Sequence, residues 1–159
     1  METAWRNAAL NDVQINFAQE DILKCNSLND LFANKVKQSP SEKQITSSLT
    51  PRNNIEFDII ISNPPYVRDL EKEEIKNNVV QNEPHIALFV QDNNPLVFYD
   101  KISDLAKNHL APNGLLFFEI NQYLGKETVN LLESKGFKNI ELRKDLFGND
   151  RMIKASKRL

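Results

Sequence analysis

Cysteine, histidine, glycine and strong charge of one sign are all scarce in this chain. Its single cysteine, Cys25, permits no internal disulfide and suits a reducing compartment, where it reads as an unremarkable thiol. The two histidines, His85 and His109, have no His, Cys or Asp partner at ligand spacing, so no metal site is expected. No apolar run approaches the length of a membrane span and no signal peptide is expected. A soluble protein of the cytoplasm, with no membrane partner, is the expectation. Lysine and arginine number 20 against 22 acidic residues, a net charge of -2, whereas a non-specific nucleic-acid binder is usually basic. No internal repeat is visible.

What remains is an ordinary globular composition, 40% hydrophobic and 26% charged over 159 residues, enough for one domain with a real core. Residues 2–10, with Ala4, Ala8 and Ala9, read as the tail of a helix that Asn11 and Asp12 break. "VQINFAQ" then alternates Val13, Ile15 and Phe17 like a strand. A polar stretch over residues 34–54 carries Pro40, Pro51 and "TSSLT" and reads as a flexible surface insertion. "DLEKEEIKNNVV" reads as helical, and residues 95–110 form the clearest amphipathic helix, with Phe98, Ile102, Leu105 and Leu110 near one face. "APNG" reads as a turn that launches the apolar strand "LLFFEI". Leu124, Thr128, Leu131 and Leu132 follow helical spacing, with Gly136 where a C-cap glycine belongs. Two strands near residues 137–144 and 151–156 are too close for a parallel crossover and so form an antiparallel hairpin. The fold class is α/β, with a sheet parallel except at one edge.

The stretch that asks for a function is "FDIIISNPPYVRDL". Ile59, Ile60 and Ile61 have the β-branched richness of a buried strand, and Pro64 with Pro65 stops it by fixing φ twice and removing two donors. A rigid loop therefore stands at the C-terminal end of a strand, where open α/β sheets bind ligands. Asn63 and the Pro64 carbonyl offer two acceptors on that frame, and Tyr66 adds a flat apolar face. Such a set suits a planar –NH2 conjugated to a ring or a carbonyl.

"NPPY" after an apolar strand resembles motif IV of the S-adenosylmethionine-dependent amino-methyltransferases. More of the chain resembles one branch, the HemK/PrmC-type protein-(glutamine-N5) methyltransferases of peptide chain release factors. "NEPHIALF" is similar to the Glu-Pro-x-x-Ala-Leu element that follows NPPY there, and "NPLVFYDKI" to the next helix start. "APNGLLFFEIN" is similar to that branch's next strand, and "RKDLFGNDRMIKA" to its closing hairpin. The resemblance implies a Rossmann-like class I methyltransferase sheet of strand order 3-2-1-4-5-7-6. It implies methylation of the glutamine of a Gly-Gly-Gln motif, S-adenosylmethionine as cofactor and a release factor as protein partner. Catalytic roles fall to Asn63, Pro64 and Tyr66, with Pro65 completing the substrate loop. Asp21, Ile22 and Asn63 fall to the cofactor, Asp21 near the adenine amino group, although it could equally cap a helix. Glu83 with Pro84 either shapes the pocket or starts a turn; Glu119 is expected near the end of its strand; Asp150 and Arg151 are expected to stabilise the hairpin.

One departure is as informative as the matches. Of the four glycines, Gly114, Gly125, Gly136 and Gly148, none forms the family's glycine-rich cofactor loop. Residues 1–159 therefore read as the C-terminal portion of a methyltransferase domain whose first two strands are missing. Weak cofactor binding by this chain alone is expected. So is an exposed apolar edge along residues 58–62, with residues 13–18 losing their neighbour. Such an edge could be met by a homodimer, by re-docking of residues 13–18 beside it, or by poor order before about residue 54. Two alternatives stand beside the glutamine reading. One is a nucleic-acid adenine-N6 methyltransferase acting on a flipped base, although direct nucleic-acid contact is not expected from the charge; the other is a non-catalytic fragment.

Overall fold

The computed structural model describes residues 2–29, 55–74 and 84–157. The chain divides into two units, Met1–Ile55 and Glu56–Leu159. The 34–54 insertion lies outside the described residues.

In the first unit, α1 runs over Glu2–Leu10, with Glu2 favourably placed in its first turn. It ends because Asp12 takes φ 51°, and the Val13 N–H closes on the Ala8 carbonyl at 3.1 Å. Residues 13–18 are not the strand that their alternation suggests; only a lone bridge at Phe17 forms. Val13 and Ile15 stay 45% and 43% exposed, so the alternation finds no apolar face to cover it. A strand is stable only with a neighbour, and the described residues of this unit offer none. Asp21 then caps a short 3-10 turn, Ile22–Lys24, its side chain accepting from the Leu23 N–H at 3.1 Å. Cys25 is buried, its thiol directed at the Ser27 carbonyl.

The second unit holds a four-stranded sheet of β1 (Phe57–Ser62), β4 (Leu110–Glu119), β5 (Lys138–Lys144) and β6 (Asp150–Ser156). Their order is β1-β4-β6-β5, which is the 4-5-7-6 half of the expected order. β1 and β4 are parallel, while β6 is antiparallel to both β4 and β5, so the closing hairpin forms as its sequence suggests. A second, two-stranded ribbon pairs β2 (Val67–Arg68) with β3 (Phe89–Val90) in parallel. A four-residue helix, α2 (His85–Leu88), leads into β3.

The core lies on one face of the larger sheet. Leu116 and Phe118 of β4, and Ile153 of β6, are buried there. Helix α3 (Val97–His109) covers them with Tyr99, Ile102, Leu105 and Ala106 at helical spacing. Tyr99 meets Phe118 edge to face at 5.2 Å between ring centroids. Helix α4 (Gly125–Ser134) adds Thr128 and Leu132. It ends as Gly136 predicts: at φ 89°, its N–H bonds the Glu133 carbonyl and the Phe137 N–H bonds that of Leu132. These two bonds make a Schellman motif, closed by Phe137 and Leu132, both buried.

"APNG" departs from expectation in an instructive way. It does not precede β4 but lies inside it, because the strand begins at Leu110. Against β1, Phe57 faces Leu110 but Ile59 faces Leu115, so β4 carries extra residues there. The turn chemistry survives as a bulge, with Asn113 at φ 64° and Gly114 so close to Ala111 O that an added Cβ would stand 2.9 Å away.

The other face of the sheet is only partly covered. Registered neighbours share a face, so Ile59 and Ile61 of β1 line up with Leu115 and Phe117. Ile59 is 52% and Ile61 77% exposed, and β1 ends the four-strand order. The closing hairpin also carries exposed ion pairs: Lys154 and Arg143 pull Glu141 down to about 2 by hydrogen bonding, and Lys144 reaches Asp150 at 2.7 Å.

Candidate active site

Strand β1 delivers its chain to a loop, residues 63–66, without regular structure. Asn63 is exposed, and its side-chain amide has no hydrogen-bond partner among the described residues. Pro64 is buried, while Pro65 and Tyr66 are half-buried. The prolines thus root the loop and leave one polar group, Asn63, free at the strand end.

The end of β4 receives this loop. Glu119, its last residue, accepts a hydrogen bond from the Tyr66 hydroxyl at 2.8 Å. Burial first, then that hydrogen bond and the carboxylate's charge, push the Tyr66 phenol up to about 12, against an opposing pull from Arg151. The hydroxyl therefore stays a donor over any physiological pH. Two residues on, Asn121 is 2% exposed and fully used. Its amide nitrogen donates to the Tyr66 carbonyl at 2.9 Å and to Glu71 Oε2 at 2.7 Å, and its oxygen accepts from the Tyr123 N–H at 2.9 Å.

Glu71, 6% exposed, is the other half of the lock. It takes the Arg68 guanidinium and the Arg68 N–H, besides Asn121. Arg68 in turn lies over the Tyr123 ring, 5.8 Å from its centroid. The carboxylate is buried because a guanidinium, a backbone N–H and an amide satisfy it together.

Tyr66, Val67, Glu71, Asn121, Tyr123 and Arg151 help to line a cleft of about 160 Å³. Asn63 and Pro64 do not line it. Arg151, expected to serve the hairpin, does reach Asp145 at 3.4 Å and also borders this cleft. Asp145 organises the hairpin tip by accepting from the Phe147 and Asn149 N–H groups, at 2.9 and 3.0 Å. Among the described residues, no group of His, Cys, Asp and Glu could hold a metal ion.

Asp21 and Ile22 belong to the first unit and are described there alone. The capping role of Asp21 is the one its hydrogen bond expresses; Lys24 at 3.1 Å and the Leu23 N–H hold its carboxylate below the usual range. Being exposed, the carboxylate keeps lone pairs for a further donor, and Ile22 is half-buried beside it. Taken each within its own unit, Asp21 with Ile22 offers a carboxylate beside an apolar side chain, chemistry that suits an adenine ring with its amino group, and Asn63 offers an exposed amide, chemistry that suits a polar group of S-adenosylmethionine. No glycine among the four supplies a cradle for its remaining end. Glu83 lies outside the described residues, and Pro84 directly precedes α2.

Sequence reasoning missed Arg68, Glu71 and Asn121. The charged run "DLEKEEIKNNVV" reads as helical, but Asp69–Glu74 is a 3-10 helix in which Glu71 is buried, and residues 75–80 lie outside the described residues. One signal was available: "IIISN" and "FFEIN" both place an asparagine just past an apolar strand.

Comparison with known proteins bears on this geometry. The family model of Eco57I restriction-modification methylases matches residues 3–147. A release factor glutamine methyltransferase of Flavobacterium psychrophilum is 51% identical over 156 residues, 98% of this chain and 46% of that protein. Another, of Lactococcus lactis, is 35% identical over 151 residues, 94% of this chain and 46% of that protein. A solved protein-(glutamine-N5) methyltransferase (release factor-specific) of Alicyclobacillus acidocaldarius gives a TM-score of 0.41 at 23% identity. It covers 65% of this chain and 50% of that one. The chain thus spans about half the length of the relatives it matches.

The lock makes a prediction of its own. Arg68→Met leaves the Glu71 carboxylate buried without its cation and should destabilise the protein by about 3 kcal/mol in urea denaturation. Arg68→Met/Glu71→Gln should recover more than half of that loss. A double variant no more stable than Arg68→Met would show that the pair is not the source.

Proposed function

We propose that this chain, which belongs to the family described by the Eco57I restriction-modification methylase model and is a relative of release factor glutamine methyltransferases, is the catalytic part of a protein-(glutamine-N5) methyltransferase. Its substrate is the glutamine of a Gly-Gly-Gln motif in a peptide chain release factor, met in the cytoplasm. The observation that carries this reading is an uncommitted Asn63 amide at a parallel strand's end, on a loop anchored through Tyr66 to Glu119 and Asn121.

The amide nitrogen is a poor nucleophile because its lone pair is delocalised into the carbonyl. The Asn63 oxygen and the Pro64 carbonyl accept its two N–H bonds and fix the plane of the group, which sets where its π lone pair points. Tyr66, backed by Pro65, packs against that plane and excludes water. S-adenosylmethionine, which Asn63 would meet at this loop, would supply an electrophilic methyl group when bound. The methylated amide cation is acidic enough to release its proton to water, so no strong base is required. Catalysis by this loop is therefore mostly positioning.

A second reading, adenine-N6 methylation of nucleic acid by the same loop, is compatible with a family model named for restriction-modification methylases. A third is that this chain alone is not active.

In a full-length methyltransferase carrying this segment, Asn63→Ala should leave the fold intact. It should slow methyl transfer to a Gly-Gly-Gln peptide by roughly 100-fold or more, about 3 kcal/mol, as for a lost oxyanion-hole donor. A variant as fast as wild type would remove Asn63 from the reaction, and transfer to DNA adenine alone would select the second reading. The 159-residue chain by itself should hold S-adenosylmethionine weakly, and micromolar binding in titration calorimetry would contradict this. We also propose that the chain alone self-associates through β1, where Ile59 and Ile61 are exposed. Sedimentation should show a dimer that Ile61→Lys disperses; a monomer in both cases would end this proposal.

A further inference from the structure

Resting on the methyl-transfer reading above, we propose that Glu119 is a positioning residue that acts through Tyr66, with Asn121 as its partner at the same strand end. A tyrosine that must lie flat on a planar amide has one troublesome freedom, rotation about its side-chain torsions. In this structure that freedom is removed at both ends. The hydroxyl is tied to Glu119 Oε1 at 2.8 Å and the main-chain carbonyl of the same residue to Asn121 Nδ2 at 2.9 Å.

Neither tie is a passing surface contact. Glu119 belongs to β4 and is registered against Met152 of β6, so its backbone cannot move without the sheet. Its carbonyl also accepts from the Tyr99 hydroxyl at 3.3 Å, which joins it to the core helix α3. Asn121, two residues on, is held in turn by Glu71 and by the Tyr123 N–H. Tyr66 is thus aligned by the sheet, not by its own loop. Glu119 itself need not touch the substrate.

A residue that acts only through another has a distinctive signature: once the intermediary is gone, its own removal costs nothing further. The test is a double-mutant cycle in a full-length methyltransferase carrying this segment, with a Gly-Gly-Gln peptide as substrate and below the unfolding temperature of every variant. Tyr66→Phe and Glu119→Ala should each lower kcat by about 10- to 100-fold with peptide KM nearly unchanged, as expected for a misplaced contact. Tyr66→Phe/Glu119→Ala should be no slower than the worse single variant. Glu119→Gln, which keeps an acceptor for the hydroxyl, should recover most of the rate.

Losses that multiply in the double variant would overturn the proposal, as would wild-type kcat in Glu119→Ala. If Glu119→Ala does not fold, Glu119→Gln decides alone: a rate as low as that of Tyr66→Phe would show that accepting the hydroxyl's bond is not what matters. A wild-type enzyme that methylates adenine and not the peptide would instead defeat the substrate reading. The cycle, run on adenine, would still judge Glu119.

Discussion

Parallel pairing of β1 with β4 is the constraint from which the site follows. Because the two strands run the same way, with Ser62 facing Phe118, their last residues emerge level at one edge of the sheet. Asn63 and Glu119 are separated by more than fifty positions, yet both stand one step past that register. β6 runs in the opposite sense, so its beginning, not its end, arrives at the same edge and brings Arg151 beside the cleft. Side chains alternate along strands, so a slip of one residue in the β1–β4 pairing would turn Ile60, now level with buried Leu116, away from the covered face and misalign Tyr66 with Glu119.

The loop that hangs from this edge is stiffened twice, by different physics. Pro64 and Pro65 act locally, since their rings fix φ whatever surrounds them. Glu71, Arg68 and Asn121 act at a distance, by a buried charge whose only low-energy arrangement is the one that satisfies it. Burying that carboxylate adds little net stability, because desolvation offsets most of the attraction. What it confers is a single geometry. A reaction that depends on holding an amide still gains more from that than from a deeper energy minimum.

The same distinction explains what could be read from the sequence. The α3 and α4 helices, the Gly136 cap and the β5–β6 hairpin rest on contacts within a few residues, and their patterns were visible. "APNG" was half legible: its turn chemistry was right, but only the pairing with β1 makes it a bulge inside a strand. Residues 13–18 have a strand's alternation but, among the described residues of their unit, no neighbouring strand, and alternation alone does not make a sheet. In the candidate site, NPPY and the strand-end carboxylate Glu119 were legible because backbone chemistry and an isolated charge mark them. Glu71 was not, because its burial depends on Asn121, fifty residues further along the chain. No local window contains both.

The two readings proposed for the reaction differ in macromolecule, nucleic acid in one case and a protein in the other. They meet in one functional group. Adenine N6 and the glutamine amide are both –NH2 groups conjugated into a π system, each with two hydrogens in the plane and a delocalised lone pair above it. The proposed frame, two acceptors and an aromatic face, would answer either. The choice between them falls to what surrounds the loop. Adenine in a duplex must be flipped out, at a cost of a few kcal/mol, and the duplex must be held by contacts to its phosphates. With 20 basic residues against 22 acidic ones, this chain supplies little toward that hold. The proposed glutamine, at the tip of a protein loop, would ask for neither unstacking nor phosphate contacts, only for a rigid frame such as the paired strand ends of β1 and β4.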